Sequence, residues 1–135
     1  MATRSRIGIE NEDGSIESIY CHWDGYPRRN GKILAEHYTN PEKIKALLAL
    51  GDISSLNENV GPVDGVEHTF DKPVGNVTVA YHRDRGEDLR KPIVKHSMEG
   101  FANSDYEEYG YIFTKENEWQ VVGVKKCFVP LADVL

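Results

Sequence analysis

RSRIGIENEDGSIESIYCHW, residues 4–23, alternates apolar and polar side chains on either side of an Asp-Gly pair. Ile7 and Ile9 share one face of the first half, while Arg6, Gly8 and Glu10 share the other. Asp13-Gly14 suits a tight reversal, because glycine tolerates positive φ and aspartate often does. The spacing therefore predicts a hairpin pairing residues 5–10 with 16–23. In its second strand Ile19, Cys21 and Trp23 fall on one parity and Ser18, Tyr20 and His22 on the other. With the first set inward, Tyr20 and His22 point away from the core, and Asp24 leaves the strand beside them. Glu17 breaks the apolar parity near the turn.

The segment DGYPRRNG, residues 24–31, follows as a turn-rich corner, and the proline disfavours helix at Tyr26. Ile33, Leu34, His37 and Tyr38 have the spacing of a short helix. Asn40-Pro41-Glu42 supplies a cap, a first-turn proline and an acid at the positive end of a helix over 41–50. Its buried stripe is Ile44, Leu47 and Leu48, and Gly51 ends it. Residues 52–76 read as a long loop or as one hiding a strand, since turn residues recur too often for long elements. Alternation over 77–82 predicts a strand, and the charged run RDRGEDLRKP interrupts it. Residues 93–108 read as a short helix or an irregular strand. A second hairpin joins YGYIFT to WQVVGVKK across KENE. The apolar tail, CFVPLADVL, is expected to cover an edge or a subunit interface.

These elements add up to an α+β fold in two layers, with an antiparallel sheet of four to five strands. Two short helices are inserted after the first hairpin and pack on one sheet face. With 135 residues and neither repeat nor linker, residues 1–135 form a single domain.

Composition excludes several classes of function. No run approaches the roughly 20 apolar residues that cross a bilayer, so no membrane association is expected. The start lacks the apolar stretch of a secretory signal, which keeps the chain in the compartment where it is made. A formal charge of −6 argues against gripping a nucleic-acid backbone, despite basic clusters at Arg4/Arg6, Arg28/Arg29 and Arg83–Lys91. Cys21 and Cys127 are expected as free thiols in a reducing compartment. The histidine spacing makes no zinc pattern, no phosphate-binding glycine motif occurs, and neither metal nor cofactor is implied.

YCHWDGY, residues 20–26, is the densest cluster of chemically versatile side chains. It reads either as ordinary core and turn or as a site. In the second reading His22 serves as acid or base, and Asp24, His82 and Asp84 are its candidate companions. Cys21 and His22 are strand neighbours on opposite faces, so they do not make a nucleophile pair. Tyr20, Trp23, Tyr26, Arg28 and Arg29 on this corner, with Tyr106, Tyr109 and Tyr111 of YEEYGYIF, are the candidate residues of a protein interface. Ordinary sheet packing is the alternative for the tyrosines. The acidic stretch carrying Glu99, Asp105, Glu107 and Glu108 would suit a basic partner.

Over residues 4–56, with YCHWDGYP, the Asn30-Gly31 pair, the HYT/Pro junction and LGDISSL, the chain resembles short uncharacterised bacteriophage proteins, including ones from cyanophages. The resemblance implies a viral accessory protein in the host cytoplasm and brings no catalytic or ligand assignment. The expectation is a non-enzymatic protein that binds a host or viral protein, or forms a homo-oligomer. Two alternatives stay open: a small hydrolase or ligand-binding protein using a His/Asp/Tyr cluster, and a structural or assembly component.

Overall fold

A computed structural model describes residues 3–62, 68–97, 101, 108–123 and 128–134. The first hairpin forms from β1 (Ser5–Glu10) and β2 (Ile16–Cys21), in antiparallel register with Ile7 opposite Ile19 and Ser5 opposite Cys21. The second forms from β6 (Tyr109–Phe113) and β7 (Trp119–Val122). Its turn is closed by Thr114 N–H donating to the Glu118 carbonyl at 2.8 Å.

Between the hairpins the chain runs through a π-helical turn at Pro27–Gly31, then α1 (Lys32–His37) and α2 (Pro41–Leu48). Asn40 caps α2 by accepting from Glu42 N–H at 2.9 Å, as the Asn-Pro-Glu spacing implies. Ile44, Leu47 and Leu48 are buried on one face of α2, each worth about 1.5–3 kcal/mol against exposure. Gly51 ends the segment at φ 74°, a left-handed conformation that glycine adopts without penalty.

The remaining strands are short: β3 (Ile53–Ser55), β4 (Val79–Ala80), β5 (Ile93–Lys95) and β8 (Phe128–Pro130). The sheet runs β4-β3-β2-β1-β6-β7-β8, with β5 on the first half of β2. β2 pairs parallel with β3, and β1 pairs parallel with β6.

The expected antiparallel sheet of four to five strands with two helices is therefore corrected to a mixed eight-stranded sheet with three helices among the described residues. The physical reason is connection length. A tight turn enforces antiparallel pairing only within its own hairpin, whereas α1 and α2 form a crossover long enough to return β3 parallel to β2. The strand expected over 77–82 also ends early. Val79–Ala80 is strand, but Tyr81 and His82 open α3 (Tyr81–Arg85), which stops at Gly86 with φ 81°.

The larger core lies on the helix side, where Ile7, Ile19, Cys21, Tyr111 and Phe113 meet Leu34, Tyr38, Ile44 and Leu47. On the other side Ile16, Ile112, Val122 and Phe101 make a smaller cluster. Phe101 sits so close to Gly110 that a Cβ there would lie 2.5 Å from its ring. The tail covers an edge: β8 pairs with β7, and Leu131 in the 3-10 turn Leu131–Val134 is buried. Among the described residues no helix is long and apolar enough to cross a membrane.

Candidate functional site

β2 ends at Cys21, yet the chain stays beside β3 for two further residues. His22 N–H donates to the Ile53 carbonyl at 3.1 Å and Trp23 N–H to the Ser54 carbonyl at 3.0 Å. Asp24 then reverses the backbone at φ 56°. Gly25 fits against the start of the chain, donating to the Thr3 carbonyl at 2.8 Å; a Cβ here would lie 2.7 Å from that of Ser5. Two buried side chains pin the corner from beneath. Tyr111 Oη donates to the Gly25 carbonyl at 2.6 Å, and Asn30 Nδ2 donates to the Trp23 carbonyl at 3.3 Å.

Held this way, the corner presents its aromatic groups outward. Trp23 is 44% exposed and Tyr26 40% exposed, although the alternation of the first hairpin groups Trp23 with the core. β2 ends at Cys21, so strand parity no longer governs Trp23. The edge of the Trp23 indole meets the His22 ring at a centroid distance of 4.8 Å. His22 Nδ1 is 2.7 Å from Tyr20 Oη. Arg28 is exposed, and Arg29 Nη2 donates to Asn57 Oδ1 at 2.9 Å.

Tyr20 also lines a pocket of about 210 Å³ with Asp52, Tyr81, His82, Glu87 and Arg90. Asp52 Oδ1 accepts from Tyr20 N–H at 3.1 Å, fixing one wall to β2. His82 Nδ1 lies 2.7 Å from the Glu87 carbonyl. Because a carbonyl only accepts, Nδ1 carries a proton, and Nε2 is the ring nitrogen left for another partner. Burial raises the Tyr81 phenol above its ordinary pKa, and a hydrogen bond with Ser54 partly opposes this.

The proposed quartet of His22, Asp24, His82 and Asp84 does not assemble. Tyr20 joins His22 by a hydrogen bond and His82 through the shared pocket, but Asp24 is exposed outside that lining. Asp84 belongs to a separate cluster. Its Oδ2 accepts from His68 Nε2 at 3.1 Å, Ala80 N–H at 2.8 Å and Arg83 Nη2 at 2.9 Å, and its Oδ1 from Arg83 Nε at 2.8 Å.

Cys21 is buried, and desolvation pushes its thiol up to about 11, against opposing hydrogen bonds with Asn30 and Trp23. Such a thiol is neutral and a poor nucleophile. Cys127 lies outside the described residues. Tyr111, read from sequence as an interface residue, is instead fully buried and serves the corner through its hydroxyl. Tyr109 is half-buried, and Tyr106 lies outside the described residues. Asp52, Tyr81 and Arg90 are pocket residues that sequence reasoning missed, because Gly-Asp after a helix reads as a turn and Tyr81 as strand packing. Among the described residues no group of three or more His, Cys, Asp or Glu could hold a metal ion.

No family model matches this chain, and neither does any curated protein or solved structure. The structure defines the class as α+β with a mixed sheet and an aromatic corner beside a small polar pocket.

Proposed function

We propose that this chain is a non-enzymatic binding protein of the phage accessory kind its residues 4–56 resemble, occupying a host or viral protein in the host cytoplasm. The observation that carries this reading is the aromatic corner. Trp23 and Tyr26 are exposed on a loop whose backbone is held by Tyr111, Asn30, Thr3 and Ser54. Trp, Tyr and Arg are the side chains that dominate interface energetics, and a prefixed loop loses little entropy on docking. Trp23, Tyr26 and Arg28 supply all three types within one turn of chain.

The test is affinity capture from host extract with the native chain and with the Trp23→Ala/Tyr26→Ala variant, after circular dichroism shows that both fold. A partner that binds the native chain and loses about tenfold or more in affinity with the variant supports the reading. Equal capture by both chains refutes it.

A second reading, binding of a small ligand, rests on the pocket, where His82 Nδ1 is held by the Glu87 carbonyl. Thermal stabilisation of the native chain by a ligand, lost in His82→Ala, would favour it over the first.

A further inference from the structure

Gly86 ends α3 in the left-handed region, and the residues after it fold back along the helix. Gly86 N–H donates to the His82 carbonyl at 3.1 Å and Glu87 N–H to the Tyr81 carbonyl at 3.2 Å, which fixes the near end of this loop. Its far end rests on Gly51, where a Cβ would come 2.5 Å from the Arg90 carbonyl oxygen. The loop so held brings Glu87, Asp88 and Arg90 into the lining of the pocket of about 210 Å³. Its aromatic walls are held as well. Tyr20 Oη lies 2.7 Å from His22 Nδ1, and the Tyr81 ring packs on Phe70 at a centroid distance of 5.9 Å. A pocket whose walls are already in place loses little entropy when a ligand enters.

The charged groups that line it are the carboxylates of Asp52, Glu87 and Asp88 and the guanidinium of Arg90. Glu87 is matched from outside the lining by Arg85 Nε at 3.5 Å. Arg83 is committed to Asp84, and Lys91 does not line the pocket. Half-buried Asp52 accepts from Tyr20 N–H at 3.1 Å, and a carboxylate has about four acceptor positions, so it has capacity to spare. Asp88 and Arg90 make no side-chain hydrogen bond or ion pair among the described residues. The pocket therefore holds two carboxylates and one guanidinium that the protein leaves unneutralised. The complementary ligand carries two cationic groups and one carboxylate.

We propose that this pocket binds a free basic α-amino acid of the arginine or lysine type. The proposal rests on the small-ligand reading above and names the ligand class. Asp52 and Asp88 meet the two cationic groups, Arg90 takes the carboxylate through its two-pronged fork, and the tyrosine rings cover the stem and its cation. The volume lies below the roughly 300–1,000 Å³ of sites for drug-sized molecules, which suits a ligand the size of one amino acid.

The test is isothermal titration of the full chain with L-arginine, L-lysine and agmatine, which is arginine without its carboxylate. Saturable binding of at least one amino acid is expected, with agmatine at least about tenfold weaker than L-arginine where arginine binds. Asp52→Asn keeps an oxygen for Tyr20 N–H while removing the charge, and with its fold verified by circular dichroism it should weaken the bound amino acid at least about tenfold. Arg90→Ala should weaken L-arginine but leave agmatine unchanged, because only the carboxylate contact is lost. Absence of saturable binding by both amino acids overturns the proposal, and the small-ligand reading then stands or falls on its own His82→Ala test. Equal affinity for L-arginine and agmatine overturns it, since Arg90 would then recognise nothing. Binding that survives both Asp52→Asn and Arg90→Ala places the ligand elsewhere and overturns it too.

Discussion

Two histidines in this molecule stand near carboxylates and an arginine, and they differ in how completely their polar atoms are occupied. His68 is a closed case: its side chain is 1% exposed, and Nδ1 accepts from Val74 N–H at 3.0 Å while Nε2 donates to Asp84. Arg83 extends the cluster to the Val60 and Thr78 carbonyls, both at 2.6 Å, so that α3 is tied to the segment before β4. His82, two residues earlier than Asp84, is exposed and, among the described residues, hydrogen-bonded through Nδ1 alone, beside a pocket. Saturation marks the first cluster as structural, and spare bonding capacity marks the second as open to a ligand.

The sharpest way to break this contrast is Asp84→Ala. It strands the donors of Arg83, His68 and Ala80 in a largely buried place, and a loss of about 3 kcal/mol in chemical denaturation is expected. A cost near zero would erase the distinction. Next in size is Tyr111→Phe, expected to cost about 1–2 kcal/mol by leaving the Gly25 carbonyl unpaired, and to raise hydrogen exchange at Gly25. On the open side His82→Ala should change stability by less than about 0.5 kcal/mol, in the range of exposed substitutions. A larger loss would move His82 into the structural class.

Acid should read out the closed cluster. Burial pushes the Asp84 carboxyl up, but the Arg83 hydrogen bond, the Ala80 amide and the charge of Arg83 outweigh it and hold the group below its ordinary 3.8. A folded pKa below the unfolded one contributes stability that is present above about pH 4 and lost as pH falls through the lowered value. Asp84→Asn should flatten that acid limb, as followed by denaturation midpoints across pH. The smallest expected signal is at Cys21: in a chain carrying Cys127→Ser, the buried neutral thiol should resist maleimide at neutral pH until the protein is unfolded.

Several parts of the fold were legible because local chemistry enforces them. The Asp13-Gly14 turn sets the first hairpin, and the Asn40 cap and Gly51 stop bracket α2 whatever lies around them. The second hairpin and the docking of the tail on an edge follow from alternation and apolar content in the same way. The parallel pairings β1–β6 and β2–β3 were not legible, since no turn connects those strands and their alignment comes from shared burial against α1 and α2. For the same reason Tyr111 looked like surface.

At the site, Tyr20 and His22 were visible as a dense cluster, whereas Asp52, Tyr81 and Arg90 joined Tyr20 only when the crossover and α3 folded back. The sequence by itself determined the hairpins, the caps and the aromatic content of the corner, because those depend on residues a few positions apart. Only the tertiary structure decided which strands run parallel, which tyrosine is buried and which histidine is spare, because these depend on contacts between segments tens of residues apart whose closure is driven by burial rather than by local preference.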